Sequence, residues 1–402
     1  MYEKIYNRFL STAILFLMLL SSLSSAGSIY SRHGIGLISY RDVVKATGMG
    51  GVGLAVIDSV TLFIVNPAAL AQLRFTRVQG DFLYERTDIS LTSGSGLFQN
   101  ANVNSLALSF PVKRGYTMAL GIQPYSRSDF QFSQDDSAGT YEEIFSGSGG
   151  LNTAYLALGM TPVSSLRFGI AADFYFGQLK QTWRVNFASS NRRNTEDVTN
   201  NHFKGVGLHL GMQAQFSNGL IGAAVGLPTT LDVETTLTTV TGFDSTTGES
   251  KTRLPLWWGV GLGYTPNRHW IFAMDWRTQR WNAVQPEELL GAFTADSFDL
   301  GFGVEVVPSL KPLDGFFKRL RYRFGGSYRQ LPYEEPMREK IHEWAASFGL
   351  GLPFGQDRNH IDFAVEVGKR GSLSNNGALE NVLLVHVSLS GGERWFQRGS
   401  RR

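Results

Sequence analysis

Cysteine is absent from all 402 residues, which excludes disulfides, thiolate metal sites and lipid attachment at a cysteine. Long apolar runs are missing too. Past the N-terminal leader no stretch stays apolar for the roughly 18 residues that a spanning helix requires. Neither sign of charge dominates: 37 Lys and Arg stand against 34 Asp and Glu, for a net charge of +3. That balance gives no electrostatic footprint for nucleic acid. Catalytic signatures are also lacking, since GxSxG, HExxH and paired metal-ligand spacings do not occur. The histidines are scattered at positions 33, 202, 209, 269, 342, 360 and 386. A Ser/His/acid triad assembled in space stays open on these grounds, beside the plainer reading of hydrogen-bonded wall histidines. No cofactor is called for, and the chain reads as a non-enzyme.

What is present is apolar, aromatic and glycine-rich, with 43% hydrophobic residues, 45 glycines and 28 phenylalanines against only 18% charged residues. The start carries Lys4 and Arg8, an apolar core from Ala13 to Leu20, and then Ser24-Ser25-Ala26. This order of basic, apolar and small residues predicts a secretory signal peptide over residues 1–26, cut after Ala26. Export, composition and the lack of spanning helices together point to an all-β protein of the outer-membrane barrel kind.

From Thr76 onward, units of about ten alternating residues are separated by polar breaks, which is the signature of strands. Leu300, Phe302, Val304 and Val306 share one face, against Gly301, Gly303 and Glu305. Trp270, Phe272, Met274 and Trp276 oppose Ala273, Asp275 and Arg277. Ile361, Phe363, Val365 and Val367 oppose Asp362, Ala364 and Glu366, and Leu383, Val385, Val387 and Leu389 oppose Leu384, His386 and Ser388. A soluble sandwich would alternate as well. Connection lengths separate the two. Short breaks at 111–115, 161–165, 217–219, 265–269 and 353–359, with a medium one at 308–318, alternate with long ones at 88–102, 126–150, 183–204, 228–253, 278–296, 330–339 and 369–380. Two unlike rims are the outer-membrane pattern, and closure is required because unpaired edges in hydrocarbon are costly. The segments number about fourteen. Trp183, Trp257, Trp258, Trp270, Trp276, Trp281, Trp344 and Trp395 fall near strand ends, where amphipathic rings favour the lipid–water boundary.

Ahead of this ladder lies TGMGGVGLAVIDSVTLFIVNPAALAQL, residues 47–73. Glycines and Pro67 break it too often for a long helix, yet it is too apolar for an exposed loop. It is expected to lie inside the barrel, so that residues 27–75 form a plug and 76–402 a transmembrane antiparallel β-barrel. Gly48, Gly50, Gly51 and Gly53 formally match a dinucleotide fingerprint, but no strand-turn-helix unit with a following acid accompanies them. They read instead as close-packing positions. On the inward faces Asp173, Asp275, Asp299, Glu305, Asp362 and Glu366 meet Arg277, Arg319, Arg321, Arg323 and Arg329. These charges either pair across strands and hold the plug or, as with Arg321 and Arg323, receive an acidic head group. Asp299, Glu305, His209 and His386 are further lumen candidates.

Gly34-Ile35-Gly36, the block ATGMGGVGLAV from Ala46, and Asn66-Pro67-Ala68-Ala69-Leu70 together resemble the plug of the FadL-type outer-membrane transport proteins. The closing residues 389–396 are similar to the ends of relatives in that superfamily. The resemblance implies fourteen strands with an N-terminal hatch, and passive uptake of long-chain fatty acids or other hydrophobic or amphipathic molecules. Gly48, Gly50, Gly51, Gly53, Asn66, Pro67 and Ala68 would then form the plug and gate. It also implies a flaw in the third strand as a lateral exit; here that strand, residues 116–125, ends at Gln123-Pro124, and proline donates no ladder hydrogen bond. Proline there could equally just end the strand. Outer-membrane lipid, a hydrophobic small molecule and, during biogenesis, the barrel-assembly machinery are the implied partners. A second branch of the superfamily implies instead a non-transporting accessory barrel that works with secretion-system components.

Overall fold

The computed structural model describes residues 27–39, 43–92, 94–136, 138–189, 191–239, 245–292, 294–311, 314–334, 339–354 and 359–393. The expected signal peptide, Trp395 and residues 394–396 of the closing motif lie outside them. Antiparallel strands close into one barrel. In chain order these are β1 Thr76–Leu91, β2 Gly94–Lys113, β3 Tyr116–Pro124 resuming as Phe130–Asp135, β4 Tyr141–Val163, β5 Leu166–Phe187, β6 Thr195–Phe216, and β7 Gly219–Gly226 resuming as Thr229–Thr238. There follow β8 Ser245–Leu254 resuming as Trp257–Asn267, β9 Trp270–Gln279, β10 Ser297–Val306, β11 Arg321–Glu334, β12 Lys340–Phe354, β13 Asn359–Ser372 and β14 Ala378–Glu393. A resumed strand counts once because its pieces share a neighbour: both parts of β3 pair with β4 and both parts of β7 with β6. The last strand runs the full length of the first, from Ala378 opposite Leu91 to Glu393 opposite Thr76. The wall is therefore a fourteen-strand cylinder with an even strand number, as expected.

Alternation decides which face meets lipid. On β9, Trp270, Met274 and Trp276 are exposed while Ala273, Asp275 and Arg277 are buried. On β13, Phe363, Val365 and Val367 face out while Asp362, Ala364 and Glu366 face in. A water-filled cylinder would leave that inner row wet. It is buried because the N-terminal segment fills the lumen with short pieces: a 3-10 turn Ile29–Arg32, a two-residue strand Leu37–Ile38, a helical turn Val44–Thr47 and a 3-10 turn Pro67–Gln72. Among the described residues no helix is long and apolar enough to cross a membrane.

Three expectations are corrected. The long connections are largely strand: β1 ends at Leu91 and β2 begins at Gly94, inside the supposed 88–102 loop, and Phe130–Asp135, Thr195 onward, Thr229–Thr238 and Ser245–Leu254 likewise extend the wall. Beyond the bilayer both faces of a hairpin meet water, so the apolar alternation fades while the backbone ladder continues. Arg319 is not a lumen residue on a strand. It sits in a short helical turn, Phe316–Arg319, at the rim. Finally, Trp281 and Trp257 are not boundary residues. The 278–296 connection folds inward through two 3-10 turns and places Trp281 and Leu289, both with no exposed surface, in one cluster with Tyr30, Ile35 and Tyr333, while Trp257 turns to the lumen.

This cluster roofs the plug. Replacing Trp281 by alanine is expected to remove about 3–5 kcal/mol, the usual result of hollowing out a large aromatic site. A fall in the urea midpoint of the detergent-solubilised protein, with no change in slope, checks this; an unchanged midpoint would refute it.

Candidate functional site

The plug is built on backbone-to-backbone approach. Gly50 adopts φ +71°, a left-handed conformation that favours glycine. A side chain there would meet the Gly326 and Phe302 carbonyl oxygens at 2.4 and 2.5 Å. The wall answers with small residues of its own, since a Cβ on Gly303 would lie 2.3 Å from the Met49 oxygen and one on Gly169 2.2 Å from the Pro67 carbonyl carbon. Wall side chains then take up the plug's amides. Asp275 accepts from the Gly53 and Leu54 nitrogens at 2.6 and 2.8 Å, and Ser347 Oγ accepts from the Gly50 nitrogen at 3.1 Å. Asn66 caps the turn at Pro67 by accepting from Ala68 N (3.2 Å), and its amide donates to the Leu54 and Met212 oxygens at 2.8 and 3.1 Å. A buried asparagine so fully engaged fixes the Pro67–Ala68 turn against β6.

Two sets of buried charges run around the same lumen. In the first, each of six adjacent strands contributes one side chain at directly opposed positions: Arg277, Asp299, Arg329, Glu343, Arg370 and Glu380. The signs alternate. Arg277 pairs with Asp299, Asp299 with Arg329 at 3.0 Å, Arg329 with Glu343 at 2.7 Å, Glu343 with Arg370 at 2.5 Å, and Arg370 with Glu380 at 2.8 Å. Three cations thus balance three anions, and the row ends on the plug, where Glu380 accepts from Ile29 N at 2.7 Å and from Ser28 Oγ at 2.9 Å. In the second set, plug residue Lys45 bridges Asp58 (2.8 Å) and Glu305 (3.1 Å), and Arg323 joins Glu305 (2.7 Å) to Asp362 (2.5 Å). Burial opposes the charge on Asp58, but Lys45, followed by Arg321, overrides it and holds the carboxyl well below the usual carboxylate range.

One sector of the wall is unlike the rest. The β2–β3 ladder stops at Leu106 opposite Ile122. Above it β3 stays with β4, Tyr125 N donating to Leu151 O at 2.8 Å, while among the described residues no strand pairing joins Phe130–Asp135 to β2. Successive amides in a strand point to opposite neighbours, so the Pro124 nitrogen, which bears no hydrogen, faces the β2 side. The vacated edge is taken by the plug: Leu37 and Ile38 pair with Arg127 and Ser126. Arg127 reaches back across the sector to Asn104 Oδ1 at 2.7 Å.

Behind this sector a cavity of about 120 Å³ opens between plug and wall. Gln123, Pro124, Tyr125, Tyr175, Trp257 and Phe298 supply much of its lining, with Ile38, Ile64 and Val65 from the plug. Its polar side holds Asp299, Arg277 and His209; the last lies 2.6 Å from Asp173 and 3.0 Å from the Ile64 oxygen. The candidates read from sequence thus separate. Gln123, Pro124, His209 and Asp299 share this cavity, and His386 lines a second one. Arg323 and Glu305 are enclosed in the Lys45 set, with Arg321 at its edge, and none of the three lines either cavity. Sequence reasoning missed Lys45, Glu343, Arg370, Glu380, Tyr125, Tyr175 and Tyr333. Lys45 alone left a trace, as a cation just ahead of an apolar segment whose one acid is Asp58.

The fold has known counterparts. The toluene transporter TbuX of Ralstonia pickettii matches with a TM-score of 0.57 at 15% identity, over 88% of this chain and 98% of that one. The monoaromatic hydrocarbon channel CymD matches with 0.58 at 14%, over 94% and 100%. A FadL homologue of Pseudomonas aeruginosa matches with 0.62 at 10%, over 89% and 99%. Identities this low establish a shared FadL-type barrel and nothing finer. No curated protein matches the sequence. The model of one family, BamG, matches residues 1–400, and the chain therefore belongs to the BamG family.

Proposed function

We propose that this outer-membrane barrel is a passive channel for small hydrophobic or amphipathic molecules, with the plug as its gate and the β2–β3 sector as a lateral exit. The observation that carries this is the coincidence of three things: an aromatic-lined cavity, the interrupted ladder, and a plug strand standing in that interruption. Size narrows the ligand. An apolar cavity of about 150 Å³ accommodates benzene, so about 120 Å³ suits one ring or a short chain, not a whole long-chain fatty acid. Charge narrows it further, because Arg277 on the cavity wall is already paired with Asp299. A neutral ligand fits best, in keeping with the toluene and monoaromatic hydrocarbon named for the similar barrels.

Because the chain has no cysteine, Asn104→Cys with Arg127→Cys gives a unique thiol pair across the sector. A short thiol-cleavable linker between them is expected to cut uptake of a radiolabelled monoaromatic by tenfold or more, with recovery on reduction. Uptake that is indifferent to the bridge would overturn the lateral exit. A second reading is favoured by the family match over nearly the whole chain and by the buried Lys45–Glu305 ion pair and the wall hydrogen bonds to Gly50, Gly53, Leu54 and Ile29 that fasten the plug: an accessory barrel in protein secretion or outer-membrane protein assembly. Co-purification with assembly or secretion components, together with uptake no faster than through protein-free liposomes, supports that reading over transport.

A further inference from the structure

Gly27, the first residue expected after signal-peptide cleavage, is buried in the lumen, and its nitrogen donates to the Asp129 carbonyl oxygen at 2.8 Å. The residues after it are tied down as well: Ser28 N donates to the same oxygen at 3.0 Å, and Ile29 N to Glu380 at 2.7 Å. Gly27 lines a cavity of about 70 Å³, together with Glu85, Asp129, Arg127, Arg370 and His386. Arg370 is spent on Glu343 and Glu380. Beyond that paired row, Glu85, which Arg370 still attracts, and Asp129, which the Gly149 amide also serves, set two carboxylates against one further arginine, Arg127, which also donates to Asn104. Burial, aided by Glu85 and opposed by Arg127, raises Asp129 to about 6.

An uncut chain offers this cavity an uncharged amide with one proton. A cut chain offers an ammonium with three. We infer that removal of the leader creates a buried α-ammonium at Gly27 that serves as the counter-charge for Asp129 and Glu85, so that processing itself completes the seat of the plug. One proton of the ammonium goes to the Asp129 carbonyl and the others point into the acidic cavity. The inference rests on cleavage after Ala26 and is independent of what the barrel transports.

Intact mass of the purified protein tests the cut, and a start at any residue other than Gly27 overturns the inference. Reductive methylation then tests the seat. The α-amine of the folded protein at pH 7 is expected to react at least tenfold more slowly than in urea, and to lose that protection in the Glu85→Gln, Asp129→Asn double variant. Should the variant not fold, the pH profile of labelling in the unaltered protein decides: a buried, paired ammonium titrates above the ordinary α-amino range of about 7.7–8.0. Labelling at the rate of a free amine, or a profile inside that range, sinks the proposal.

Discussion

Valine in place of Gly222 should leave the barrel closed and drive the plug out of it. The side chain would begin 2.0 Å from the Leu54 carbonyl oxygen and 2.5 Å from its carbon, and neither is free to retreat. Leu54 O accepts from Asn66 Nδ2 at 2.8 Å and Gln213 Nε2 at 3.0 Å, and Leu54 N is bound to Asp275 at 2.8 Å. Overpacking alone costs about 1–3 kcal/mol. Each buried partner then left unsatisfied adds about 1–3 kcal/mol, so several such losses bring the effect to roughly 5 kcal/mol or more on plug seating. The β7 ladder loses nothing, because its pairing with β6 and β8 is through the backbone. Two readouts separate the effects. The gel shift between boiled and unboiled samples reports the closed barrel and is expected to persist. Limited proteolysis within residues 54–73 reports the plug and is expected to change from protected to cut. Gly248→Val, at a position with nothing within 4 Å, is the control and should change neither. A Gly222→Val plug as protected as the original would mean that the lumen yields far more readily than its hydrogen bonds imply.

The architecture was legible in the sequence because its physics is local. Period-two faces such as Trp270 to Arg277 depend only on the pleat, and the glycine block before Asn66-Pro67 announces a segment that must be enclosed. What was not legible depends on register. Arg277, Asp299, Arg329, Glu343, Arg370 and Glu380 follow one another at separations of 22, 30, 14, 27 and 10 residues, and no spacing rule joins them until hairpin lengths set which residues lie opposite. Arg323 shows the same limit. Its partner Asp362 lies two strands away, across β12, and the contact passes over Gly351, where a side chain would sit 2.6 Å from the arginine and 2.8 Å from the aspartate. The glycine could be read as small, but not as the gap through which a pair is made. The rim failed for the opposite reason: the backbone continued as strand where the apolar pattern had ended. Trp281 failed because proximity to a strand end does not reveal that the following connection folds inward.

Lys45→Met is the other large effect, and its sign with pH tells electrostatics from packing. Lys45 has almost no exposed surface and is the only partner that the plug itself offers to both Asp58 and Glu305 among the described ion pairs. Removing one member of a buried ionic set typically costs about 3–5 kcal/mol, because the charge left behind stays desolvated. Glu305 keeps Arg323, so Asp58, left with Thr61 and the Val60 amide at 2.8 Å each, carries most of the loss. In the unaltered protein the Asp58 carboxyl sits below its unfolded value of about 3.9. Its contribution is therefore present above that pH and disappears only as pH falls toward the lower folded value. The plug should accordingly resist protease at pH 5 as well as at pH 7. Without Lys45 the balance turns, since burial, the largest influence on this group, then faces the weaker attractions of Arg321, His360 and Arg77 and the hydrogen bonds of Thr61 and Val60. The carboxyl should rise above its unfolded value, and a raised carboxyl weakens the fold as pH increases through the carboxylate range. The Lys45→Met plug should thus be looser at pH 7 than at pH 5, and adding Asp58→Asn should restore most of its protection at pH 7. Equal loosening at both pH values, with no rescue by asparagine, would show that lysine matters there for its shape and not for its charge.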